Sequence, residues 1–154
     1  MNLYHFSILI RDASKSTEFL EDRLFEAGCD DALVCFNHQT VYLEFDREAE
    51  TARDAIESAM KNIRDAGFYD LVLQESGVSS LTEIASRSGL TKAAISNYAR
   101  GKRANGFPMP VYGVASGSPL YSWREVADWL YARNQLSKAQ WDIANFVIQT
   151  SPAR

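Results

Sequence analysis

"SLTEIASRSGLTKAAISNYARGKRANGFPMPV", residues 80–111, is the stretch on which the reading of the chain turns. Ser80 with Glu83 three residues later forms a capping box, so a helix is expected from Leu81. Ile84 and Ala85 fall toward a core, and Ala85 is small where a second helix must cross closely. Gly89 comes four residues later, where a chain leaving a helix commonly takes the left-handed conformation, and Leu90 plugs the core behind that turn. Thr91 is a good N-cap for a second helix, from Lys92 to about Arg100, with Ile95 and Tyr98 or Ala99 turned inward.

Two short helices joined by a glycine turn make the helix-turn-helix arrangement, in which the N-terminal part of the second helix enters the major groove of DNA. Its outward residues are Lys92, Ala93, Ser96, Asn97 and Arg100. They suit base readout: Lys92 and Arg100 can meet guanine or phosphate, and Asn97 can pair with adenine N6 and N7. Thr91, Lys102, Arg103 and Arg124 are the candidates for positioning on phosphates.

An overall net charge of −4 argues against nucleic acid only until it is divided. Residues 1–75 hold 16 acidic and 7 basic residues, net −9, whereas residues 76–154 hold 4 and 9, net +5. Such an asymmetry points to one nucleic-acid-facing module and one that faces something else. Residues 84–124 carry Arg87, Lys92, Arg100, Lys102, Arg103 and Arg124 and no acid. A basic run alone is more often a solvated face; here the helix-turn-helix spacing gives it a use.

The chain then continues "GFPMPVYGVASGSPLYSWREVADWL", residues 106–130. Pro108 and Pro110 enforce an extended backbone, Gly113 and Gly117 permit a hairpin, and Ser122 with Glu125 forms a second capping box. With "IASRSGLTKAAIS" before it, the segment resembles the winged helix-turn-helix of bacterial and phage transcription regulators of the MerR, excisionase and AlpA type. The matching residues are Phe107, Pro108, Pro110, Tyr121, Trp123, Val126, Trp129 and Leu130, over roughly residues 78–132. The resemblance implies a wing behind the reading helix and duplex DNA as the partner. The wing tip "GVASGS" departs from the pattern in having no Arg or Lys, which shifts phosphate anchoring to Lys102, Arg103 and Arg124.

The acidic half has a different rhythm. "LYHFSILI" alternates as a strand, with Phe6, Ile8 and Ile10 on one face, and residues 15–27 place Phe19, Leu20, Leu24 and Ala27 on one helical stripe. "DALVCFN" and "TVYLEF" flank a polar turn at 37–39, a hairpin signal with Val41, Leu43 and Phe45 facing in. A second helix over 51–66 and a strand at "DLVLQES" complete strand, helix, strand, strand, helix, strand, the order of the ferredoxin-like split βαβ unit. The acids Glu18, Glu21, Asp22, Glu26, Asp30 and Asp31 read as a solvated helix face and exit rather than a cation site.

The fold class expected is therefore α+β: a ferredoxin-like dimerisation or sensing domain at 1–76, a winged helix-turn-helix at 78–132, and a C-terminal helix within 133–154. That last helix is apolar on Trp141, Ala144, Phe146, Val147 and Ile148, which fits core packing or a dimer interface. Cys29 and Cys35 form no CxxC, and with His38 they match no zinc template, so no metal or other cofactor is expected. No nucleophile with its base and no Gly-rich phosphate loop stands out, which weighs against an enzyme or a ligand-binding module in the N-terminal half. The start lacks signal-peptide features and there is no apolar run of ~18 residues, so a cytoplasmic location is expected, away from the membrane. The expected function is a dimeric, sequence-specific regulator of transcription that binds double-stranded DNA, an autorepressor whose N-terminal domain serves either dimerisation or the sensing of a small-molecule or protein effector. An excisionase-like factor that bends DNA is the rival within the same class.

Overall fold

The opening strand β1 (Asn2–Ile10) is central to a four-stranded antiparallel sheet with β2 (Ala32–Asn37), β3 (Thr40–Ala49) and β4 (Leu71–Leu73), in the order β2-β3-β1-β4. The computed structural model describes residues 1–102 and 104–150, with the side chains of 147–150 left aside. The chain is mixed α+β and divides into two compact units, Met1–Glu75 and the remainder from Ser76. None of the described helices is long and apolar enough to cross a membrane.

In the first unit the alternation expected from the sequence becomes one buried sheet face. Phe6 pairs with Phe45, Ile8 with Leu43 and Ile10 with Val41, and all six are fully buried. The rings of Phe6 and Phe45 stack with centroids 5.3 Å apart. Helix α2 (Ala52–Asp65) contributes Ala55, Ile56, Ala59 and Ile63 to this core, and its N-cap Thr51 accepts from the Asp54 amide.

Helix α1 (Leu20–Glu26) is shorter than the 15–27 span expected. The Thr17 hydroxyl accepts the Ser14 amide, the Thr17 amide bonds the Ser14 carbonyl, and the Lys15 amide bonds the Gln39 carbonyl. These bonds close a local turn, and the left-handed backbone of Phe19 after it keeps a helix from starting before Leu20. Leu20 and Leu24 are buried as expected, but Phe19 sits before the helix at φ 55° and is 71% exposed.

Asp31 is not the solvated residue its sequence setting implied. Arg47 faces inward on β3, and its guanidinium donates to both Asp31 carboxylate oxygens at 2.7 Å. It also donates to Asn62 Oδ1 at 2.8 Å, Ser58 Oγ at 3.1 Å and the Gly28 carbonyl at 3.0 Å. One cation thereby joins β3, the exit of α1 and α2. Beside it, burial pushes the Cys29 thiol up to about 11, so this cysteine behaves as a core residue.

The second unit contains β5 (Val78–Ser79), α3 (Leu81–Ser88), α4 (Lys92–Ala99), β6 (Tyr121–Ser122), α5 (Trp123–Ala132) and α6 (Lys138–Thr150). Its core takes Ile84 and Ala85 from α3, Ile95 and Tyr98 from α4, Trp123, Val126, Ala127 and Leu130 from α5, and Ala144 from α6. Trp141 of α6 stacks on Tyr131 at 4.6 Å and donates its indole N–H to Asp128 at 2.8 Å. The last helix is thus packed within this unit; Val147 and Ile148 lie outside the described side chains.

The Arg47 cluster yields a stability prediction. Asp31→Ala leaves a guanidinium with 10% exposure lacking its counter-charge. The expected loss is about 2–3 kcal/mol, at the low end for a buried pair because Asp31 itself is not fully buried. Urea unfolding followed by far-ultraviolet circular dichroism measures it, and an unchanged midpoint would show the cluster to be dispensable.

Candidate nucleic-acid interface

Helix α3 begins at a complete capping box: Ser80 Oγ accepts the Glu83 amide at 3.2 Å, and Glu83 accepts the Ser80 amide at 3.0 Å. Gly89 closes it at φ 75°, ψ 7°, in the left-handed region. That conformation turns the chain within two residues to Thr91, whose hydroxyl accepts the Ala94 amide at 3.1 Å and starts α4. Both helix starts and the turn between them lie where the sequence placed them.

On α4, Ile95 and Tyr98 point into the core. Lys92, Ala93 and Arg100 are exposed, and Ser96 and Asn97 are half-buried. The first turn of α4 contains no acid, so the positive end of the helix dipole is uncompensated by a side chain. Thr91 is exposed and its hydroxyl hydrogen remains free to donate while the oxygen caps the helix. Lys102 is exposed, and its amide bonds the Asn97 carbonyl at 2.9 Å, which sets the basic loop against the end of α4. Arg103 lies outside the described residues.

Arg124 has a different setting. Its guanidinium pairs with Asp128 at 3.0 Å, one helical turn along α5, and Asp128 also accepts from Trp141. Arg124 is therefore partly neutralised within its own helix, whereas Thr91, Lys92, Ala93, Ser96, Asn97 and Arg100 share one short helix and its caps. Arg87 serves the fold too, donating to Ser79 Oγ at 2.7 Å with its guanidinium 5.3 Å over the ring of Trp123.

An aromatic cluster fixes α4 and the loop after it. Trp129 meets Tyr98 edge-on at 5.2 Å and Phe107 at 5.2 Å, and donates its indole N–H to the Asn105 carbonyl. Phe107 continues to Tyr121 at 5.6 Å. The Arg133 guanidinium lies 4.6 Å over Trp129, and Gln135 donates to the Tyr98 hydroxyl at 2.8 Å. Reading the sequence found the aromatics but not Arg133 or Gln135, because no periodicity marks a cation laid on a ring face.

Beyond Pro110 the chain turns back through a narrow hairpin with an isolated bridge between Tyr112 and Leu120. The Ser118 amide closes its tip on the Gly113 carbonyl at 2.9 Å. Met109, Val111, Tyr112 and Val114 are exposed, Met109 at 81%, so the hairpin is apolar as well as uncharged. The return strand β6 pairs with β5, a strand before α3 that at two residues is too short to show any alternation in the sequence.

In the first unit, a shallow cavity of about 190 Å³ lies between Lys15, Phe19, Leu20 and Phe36. It is smaller than the ~300–1,000 Å³ of small-molecule sites. Among the described residues, no three His, Cys, Asp or Glu side chains gather as a metal site would require. Comparison with known proteins leaves this geometry to speak for itself: no protein-family model, curated protein or solved structure matches the chain significantly.

Gly113 is the strictest position of the hairpin, since at φ 76° an added Cβ would stand 2.0 Å from the Ser118 carbonyl oxygen. Gly113→Ala is expected to cost at least ~2 kcal/mol. Gly117→Ala, at φ 79° in open space, should cost only about 1 kcal/mol. Tryptophan fluorescence during urea unfolding measures both, and equal costs would contradict the hairpin geometry.

Proposed function

We propose that this protein is a sequence-specific, duplex-DNA-binding transcriptional regulator that acts as a homodimer and represses its own transcription unit. The observation that carries the reading is the outer side of α4. Lys92, Ala93, Ser96, Asn97 and Arg100 stand on one capped helix that Ile95 and Tyr98 anchor from behind, in a 41-residue stretch of sequence, 84–124, without an acid. Such a helix presents point charges for phosphate and guanine and an amide for adenine.

The α3, Gly89, α4 order, followed by a hairpin and α5, supports a winged helix-turn-helix. The order β2-β3-β1-β4, antiparallel throughout, supports a ferredoxin-like first domain whose acidic surface keeps it off the phosphates. The C₂ pairing of two modules on a pseudo-palindrome supplies the specificity that one short helix lacks. On this reading the protein performs no chemistry and works in the cytoplasm.

The exposed apolar hairpin favours a second reading, an architectural factor of excisionase type. Apolar wedges entering a minor groove kink the duplex, whereas a plain repressor needs no strong bend. Bending measured by fluorescence transfer across a bound site separates them: a strong bend that Met109→Ala abolishes favours the architectural factor.

Affinity for duplex DNA is expected to fall with salt at a log–log slope of about −4 to −7, corresponding to ~5–8 phosphates over a dimer. Fluorescence anisotropy at several salt concentrations measures it, and absent or salt-insensitive binding would overturn the proposal. Asn97→Ala should relax preference at one base position by ~1–3 kcal/mol, while Lys102→Ala should weaken all sequences alike.

A further inference from the structure

The two edges of the first unit's sheet differ. Strand β4 is three residues long, which leaves little backbone for another strand. Strand β2, "ALVCFN", has six residues with no charge, proline or glycine, and its register against β3 is unbroken by a bulge. Natural edge strands are commonly protected by one of those devices, and β2 carries none of them.

The hydrogen-bond phase of β2 follows from its neighbours. The Asp46 amide bonds the Asp31 carbonyl, and the register continues with Leu33 opposite Glu44, Cys35 opposite Tyr42 and Asn37 opposite Thr40. Alternation in an antiparallel ladder makes these the hydrogen-bonded pairs, so the N–H and C=O groups of Val34 and Phe36 point away from β3. Among the described residues no backbone group is paired with them, while the Ala32 amide is held by the Cys29 carbonyl.

We infer that β2 pairs antiparallel with β2 of a second copy of this chain, joining two four-stranded sheets into one of eight, with the two-fold axis at Cys35. In this register Val34 of each copy exchanges both backbone bonds with Phe36 of the other. Four hydrogen bonds form, and Cys35 faces its own counterpart in a non-hydrogen-bonded pair with a Cα separation of ~4.5 Å. Shifting the axis to Val34 would oppose Phe36 to Ala32, whose amide is already engaged.

Charge favours the edge over the open sheet face. That face carries Glu44, Asp46 and Glu48 on β3, which two-fold stacking of sheet on sheet would bring against their own copies. The edge brings together Leu33, 64% exposed, and uncharged neighbours. This pairing rests on the homodimer proposed above and gives it an interface, but its test needs no DNA.

Sedimentation equilibrium of the full chain, in reducing buffer without DNA, is expected to give a dimer for the native sequence and for Cys35→Ser. Cys35→Lys, which sets like charges opposite each other at the axis, should raise the dissociation constant about fivefold or more. Val34→Pro, which removes one outward N–H per copy, should raise it on the order of tenfold. A short bismaleimide should link native chains through Cys35, since Cys29 is only 4% exposed, and Cys35→Ser should abolish the link. Because this last readout uses the native fold, it stands even where Val34→Pro does not fold. A monomer at all concentrations overturns the pairing, as does a dimer that the bismaleimide leaves unlinked. Either result leaves the salt dependence of DNA binding to decide the DNA-binding proposal separately.

Discussion

Trp129 is the contact on which the second unit depends. Tyr98 from α4, Phe107 from the loop after it and Arg133 from the end of α5 all lie on its indole, and its N–H holds the Asn105 carbonyl. Each aromatic pair contributes ~0.5–1.5 kcal/mol beyond the area it buries. The larger consequence is geometric. A helix of eight residues is too short to stand alone in water, so the orientation of α4 is inherited from the rings that hold Tyr98. The same indole engages Asn105 and Phe107, and the Lys102 amide bonds the Asn97 carbonyl at the end of α4.

The first unit solves a comparable problem with a buried charge. Arg47 reaches the loop after α1 and helix α2 through five hydrogen bonds, and Asp31 balances it. Replacing such a cluster by apolar side chains is often neutral for stability, so its value lies in fixing one arrangement of α1 exit, α2 and β3. With that core fixed, the sheet presents an acidic open face and a neutral edge. The proposed division of labour follows: a basic unit turned to phosphate and an acidic unit turned to its own copy.

Much of this was readable in the residues. Caps and glycine stops are local chemistry, which is why Ser80, Glu83, Gly89, Thr91 and Ser122 fall where the pattern put them, although at Ser122 only the hydroxyl half of the expected capping box forms. Alternation likewise placed Phe6, Ile8, Leu43 and Phe45 on the buried face. What escaped depends on partners distant in sequence or on competing turns. Asp31 looked solvated because Arg47 lies 16 residues away, and α1 looked longer because the Ser14–Thr17 turn is invisible to helical periodicity. Strand β5 has two residues and takes its identity from Tyr121 and Ser122. For the candidate interface, composition located the cations, but only geometry separated Lys92 and Arg100, on the exposed side of α4, from Arg124, paired with Asp128.

Selection of fragments from the genome that encodes this chain, on the immobilised full-length protein at near-physiological salt, tests the central claim most directly. The account predicts enrichment of a pseudo-palindromic duplex that includes DNA just upstream of the protein's own gene, and loss of that enrichment when Asn97 and Arg100 are both replaced by Ala. Fragments no more enriched on the native protein than on the double variant would contradict the assignment of α4 as a DNA-reading helix.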